Sequence, residues 1–182
     1  MKEVKLMSSQ AKSPRRSDKR TRLLAISAMF AALALIFSYV EVLIPIPVPV
    51  PGIKLGLANL VILIAIYRMD FRYAFTINMV RILAAGLLFS GVFGMIYSLA
   101  GGILSILVMY LLYRTGLFSM IGVSMAGGVC HNLGQLLTAC VLLSNTAIMS
   151  YFPVLLFSGL ISGIAIGILG YIIEKRLPPF TD

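Results

Sequence analysis

An all-α integral membrane fold, a bundle of six transmembrane helices, is what the sequence predicts, and three observations predict it. The 182 residues are 60% hydrophobic and only 12% charged, whereas soluble domains carry about a quarter charged residues. Six apolar stretches approach the ~20 residues that a spanning helix needs. Counting six spans then puts thirteen of the 15 basic residues on one side, as expected when Lys and Arg stay with the cytoplasmic loops.

Residues 1–22 are polar and hold eight Lys and Arg. The tail, residues 1–21, is expected to be disordered and cytoplasmic. With the net charge of +9, it suits anionic lipid headgroups. Nucleic acid is a poor partner, because the chain has no soluble module to present. The first span, about 22–40, contains 23-LLAISAMFAALALIFSYV-40, 18 uncharged residues. That exceeds the 7–15 of a signal-peptide core, so this segment is expected to remain as the first helix. The second span is about 55–69, short for a bilayer, and the third about 71–90. The fourth is about 93–113, the fifth about 119–143 and the sixth about 150–173. The membrane domain is therefore 22–175, with a short cytoplasmic tail at 176–182.

The inner segments of this topology carry the basic tail, Arg68 and Arg72, Arg114, and Lys175 and Arg176. Both termini are expected in the cytoplasm of a multi-pass cell-membrane protein. Two cations depart from the pattern. Lys54 lies on the outer side, and Arg81 falls midway along the third span.

A charge within the bilayer is costly, so it faces protein or a wet cavity. Asn78, Arg81 and Ala85 share a face at i, i+3, i+7. On the fifth span His131 and Gln135 stand at i, i+4, with Asn132 about 100° round the helix. Asn59 sits early in the second span. Lone amides in a bundle often serve only as interhelical hydrogen-bonding groups, and a lone His is often structural. For Arg81 two roles stay open: facing a ligand, or bonding helix-end carbonyls or Glu41. Gly159, Gly163 and Gly167, spaced by four, read as a close-packing stripe, and Ala28 with Ala32 repeats that spacing on the first span. Cys130 and Cys140 fit neither a zinc site nor a disulfide framework and read as core thiols.

Four of the chain's eight prolines lie in 45-PIPVPVPGIK-54. Alternating prolines lack amide donors and favour extended backbone. Such backbone survives at membrane depth only inside protein or along a cavity. Between the first two spans it can lie across the outer mouth of the bundle, with Lys54 pointing to that mouth. A plain apolar hairpin is the other reading.

The Pro-rich outer loop, the Ala28/Ala32 pair and the six spans resemble the substrate-binding S components of energy-coupling factor (ECF) transporters. More narrowly, 51-PGIKLGLANL-60, 80-VRILAAGLLF-89 and 131-HNLGQL-136 resemble the Gx transporter family, also described as heptaprenyl diphosphate synthase component I. The resemblance covers about residues 22–175. It implies capture of a small substrate from outside, and the candidate substrate-binding residues are Lys54, Asn59, Asn78, Arg81, His131, Asn132 and Gln135. It also implies an ECF module, a transmembrane T component plus two ATPases, with Ala28 and Ala32 facing the T component. Lys54, Arg81 and His131 suggest a small substrate that is anionic at least in part, such as an isoprenoid or quinone precursor or a vitamin-like compound.

A catalytic prenyl synthase role does not fit the acids. Magnesium needs hard oxygen ligands, and the three Asp residues, Asp18, Asp70 and Asp182, stand far apart. No G-x-x-x-x-G-K-[ST] phosphate loop is present, so ATP-driven transport must borrow its motor. No enzyme activity, cofactor or metal site is expected. The rival readings are a non-catalytic membrane subunit of a heptaprenyl diphosphate synthase and a stand-alone carrier.

Overall fold

Twelve residues, Leu57–Arg68, form a helix whose segment from Leu60 to Ile66 is buried on every side. This element organises the rest. The computed structural model describes residues 16–44 and 55–178. The basic stretch before residue 16, the proline segment and Lys54 lie outside the described residues.

Six α-helices occur among the described residues, with no strand: α1 Arg16–Leu43, α2 Leu57–Arg68, α3 Phe71–Ala85, α4 Gly91–Thr115, α5 Met120–Leu142 and α6 Phe152–Glu174. A π-helical turn, Gly86–Ser90, joins α3 to α4, and a 3-10 turn, Thr146–Tyr151, leads into α6. By length and composition, four helical segments can cross a membrane: Lys19–Leu43, Phe71–Thr115, Met120–Leu142 and Thr146–Glu174.

The segment Phe71–Thr115 is folded back on itself. The Asn78 amide donates to the Gly102 carbonyl at 3.1 Å. Along one straight helix those residues would stand about 36 Å apart. The reversal is made at Gly91, whose φ of 69° and ψ of 175° suit a residue without a Cβ.

The second helix, α2, is not among these four segments. At 1.5 Å per residue α2 is about 18 Å long, well short of the ~30 Å hydrocarbon layer. It is apolar all round because protein surrounds it, as in a core helix. Helices α1, α3, α4 and α6 pack against it. The outer helices instead turn apolar side chains outward. Leu24, Met29 and Ile36 on α1, Val92, Phe93 and Leu111 on α4, and Phe157 and Ile161 on α6 are all exposed. Such an exterior is matched to hydrocarbon rather than water. Ala28 and Ala32 belong to this exposed face of α1.

One end of the bundle is basic and aromatic. Arg68 pairs with Glu174 (Nε–Oε1 3.0 Å) and donates to the Leu177 carbonyl at 3.0 Å and to the Glu174 carbonyl. Nearby, Tyr67 meets Tyr113 and Phe71 meets Tyr110, with ring centroids 4.6 and 4.4 Å apart. Among the described residues, every Lys and Arg with a described side chain except Arg81 lies toward this end. Tyrosine rings suit the membrane–water boundary, where one edge is wet.

The glycine stripe of α6 faces α5. A Cβ on Gly163 would stand 2.6 Å from Met125 Cα, and one on Gly167 2.7 Å from Ile121 Cα. No rotamer change relieves a clash with backbone, so these two helices need glycine to pack this closely.

Candidate ligand cavity

The end opposite the basic girdle holds a small polar cavity of about 50 Å³. All six helices reach it: Ser38 and Glu41 from α1, Asn59 from α2, Arg81 from α3, Ser98 from α4, His131 and Asn132 from α5, and Ser162 from α6.

Arg81 is the charge at its centre, only 7% exposed. Its Nη2 donates to Asn78 Oδ1 at 2.8 Å and its Nη1 to Ser38 Oγ at 3.4 Å. Ser38 can accept because its own hydroxyl proton goes to the Ala34 carbonyl, 2.9 Å away. The buried Nε of Arg81 has no hydrogen-bond partner among the described residues. Glu41 is near enough to act on Arg81 electrostatically, while its Oε1 accepts from the Leu57 amide at 2.6 Å. It thereby serves the start of α2, where amide protons otherwise lack partners and negative charge is favoured.

Glycines bring the other groups into range. Gly102 offers its carbonyl to Asn78; an added Cβ there would stand 3.1 Å from Asn78 Nδ2. Its neighbour Gly101 faces α5, where an added Cβ would stand 2.6 Å from the His131 carbonyl oxygen. The pair thus lets α4 approach α3 with one residue and α5 with the next. On α5, His131 Nε2 and Gln135 Nε2 lie 3.2 Å apart, and Asn132 donates to the Leu155 carbonyl at 2.8 Å.

A second cavity adjoins the first. It measures about 640 Å³ and is bounded by α4 (Gly94, Tyr97, Ser98), α5 (Gln135, Leu136, Ala139), the turn between α5 and α6 (Asn145, Ala147, Ile148, Tyr151) and Leu155 of α6. Ser98 lines both.

Of the residues singled out from the sequence, Asn59, Arg81, His131 and Asn132 line the small cavity. Asn78 stands behind it as the hydrogen-bond partner of Arg81, and Gln135 faces the larger cavity. Lys54 lies outside the described residues. Ser38, Ser98 and Ser162 were not singled out, since isolated hydroxyls in apolar helices carry no periodic signal. Glu41 entered only as a possible partner of Arg81, yet an acid at the end of an apolar run was the available clue. Cys130 and Cys140 are unpaired and half-buried. Among the described residues, no three His, Cys, Asp or Glu side chains gather in one place.

A buried guanidinium with an unmet N–H, among amides, hydroxyls, His131 and the Glu41 carboxylate, is equipped to hold a carboxylate or phosphate. Arginine's planar fork matches those groups. Lipid-matched helices around such a cavity define the class: a helical membrane protein with a polar site inside the bundle. The chain belongs to the heptaprenyl diphosphate synthase component I family, whose model matches residues 30–173. Comparison with curated proteins and with solved structures gives no match.

Proposed function

We propose that the protein is the substrate-capturing membrane subunit of an uptake transporter of the ECF type. It takes a small anionic compound into the cavity at Arg81 and carries out no chemical conversion itself. The observation behind this reading is Arg81: buried, with an unmet Nε–H, in a polar cavity at the end away from the basic girdle. The positive-inside rule assigns the girdle to the cytoplasm, which leaves the cavity in the outer half. Ala28 and Ala32, small and exposed on α1, offer a face on which a T component docks, and two ATPases supply the energy. The six helices are read as one membrane bundle, with α2 sheltered at the centre.

The family's description favours a second reading, a non-catalytic membrane subunit of a heptaprenyl diphosphate synthase. Purification of the tagged protein from its native membrane separates the two. The transport reading predicts a T component and two ATPases in stoichiometric amounts, together with a small bound anion seen by native mass spectrometry. An Asp-rich soluble synthase chain in their place sinks the transport reading and supports the other.

A further inference from the structure

We infer that the two cavities are one divided site, and that the ligand is amphipathic, with a compact anionic head at Arg81 and an apolar body in the larger chamber. This deepens the capture reading above and rests on it.

Size is the first argument. The cavity at Arg81, about 50 Å³, suits a few waters, each of which needs at least about 10–15 Å³ of such space. A phosphate or carboxylate group fits with slight adjustment, but a whole organic ligand does not. Any ligand that satisfies Arg81 must therefore extend elsewhere. The adjoining chamber, about 640 Å³, falls within the roughly 300–1,000 Å³ range of small-molecule sites.

The partition is the second argument. Ser98 lines both spaces. On α5 the division is one side-chain pair, His131 on the polar side and Gln135 on the apolar side, 3.2 Å apart. Both are half-buried and both turn about side-chain bonds, so a ligand can pass without moving backbone. Below the pair, Asn132 is tied to Leu155, which lines the larger chamber. That tie holds α5 to α6.

The chemistry of the walls is the third. Leu136, Ala139, Ile148 and Leu155 make the chamber apolar, with Tyr97 and Tyr151 at hand. Burying an apolar body there, out of water, is favourable, while the head exchanges water for an otherwise unmet N–H. The two halves select jointly: a purely polar anion wastes the chamber, and a neutral lipid leaves the Arg81 Nε–H unmet.

The test uses a ten-carbon alkyl phosphate bearing a diazirine at its far end, with the full chain in phosphatidylcholine nanodiscs. After photolysis, cross-links are mapped by peptide mass spectrometry. The divided site predicts labels at Tyr97, Ala139, Ile148 or Tyr151. Labelling should fall roughly tenfold in Arg81→Gln, the loss expected for one charge-assisted hydrogen bond. Chamber-filling substitutions from two separate elements, Ala139→Phe and Ile148→Trp, should each reduce it similarly, so a folding failure in one does not decide the matter. Labels spread over outward residues such as Leu87 and Val141, indifferent to these substitutions, overturn the inference. Binding of inorganic phosphate to the wild type and to Arg81→Gln is measured alongside. If phosphate binding depends on Arg81 while the labels stay outside the chamber, the capture reading stands and the divided site falls. If it does not depend on Arg81, both fall.

Discussion

Two glycines on α5 offer a matched test of how closely the cavity walls are packed. A Cβ on Gly134 would stand 2.8 Å from the Ala100 carbonyl oxygen and 2.8 Å from Gly101 Cα, both backbone. Ordinary carbon contacts lie at about 3.5–4.0 Å, so Gly134→Ala must push α4 from α5 by about 0.7 Å or more. A Cβ on Gly122, near the start of the same helix, would meet nothing closer than 3.7 Å. Both substitutions gain the same helix propensity, about 0.5–1 kcal/mol. That gain cancels in the comparison and leaves the overpacking cost of about 1–3 kcal/mol. Gly122→Ala is thus expected to be neutral or slightly stabilised and Gly134→Ala clearly less stable than it. Reversible unfolding in a fixed detergent and lipid mixture measures the difference. Equal stability of the two variants refutes the close α4–α5 approach that places His131 and Gln135 against Gly101.

Three further outcomes are expected. In a Cys130→Ala/Cys140→Ala background, Ser90→Cys and Asn145→Cys should react with an impermeant thiol reagent from outside intact cells, and Arg114→Cys should not; the reverse pattern contradicts the orientation. Asn78→Asp places a carboxylate on Arg81 and removes the donor to Gly102. A like charge roughly 5 Å from a bound anion costs about 3 kcal/mol at an effective dielectric near 20, so anion affinity should drop at least tenfold by titration calorimetry, and unchanged affinity argues against an anion at Arg81. Ala28→Trp or Ala32→Trp should block assembly with a transport module while the isolated protein still binds ligand; survival of assembly in both makes this face ordinary lipid contact.

Much of the helical layout was legible because the bilayer imposes it. Arg68, Arg72, Arg114, Lys175 and Arg176 mark helix ends, and Gly159, Gly163 and Gly167 carry the spacing of a packing stripe. The status of α2 was not legible. Leu60 to Ile66 are apolar whether the solvent is hydrocarbon or protein, and composition does not distinguish the two. The site divided in the same way. Arg81 and Asn78, three residues apart, declared a shared face, and His131 and Gln135 did the same at four. Their distribution over two cavities depends on how α3, α4 and α5 meet. That juxtaposition is set by Gly101 and Gly102, two adjacent glycines whose roles point to different neighbours and leave no single periodicity to read.

Capture by this protein rests on an anion held by Arg81 inside the bundle. Its most direct test is native mass spectrometry and ligand titration of wild type, Arg81→Lys and Arg81→Gln, with thermal stability measured in parallel. A point charge replaces a planar fork in the first variant, and no charge remains in the second. The account predicts bound anion in the wild type, weaker binding in Arg81→Lys and the weakest in Arg81→Gln. Intact affinity in Arg81→Gln, accompanied by lost stability, would show that Arg81 serves only Asn78 and Ser38 and would contradict the claim.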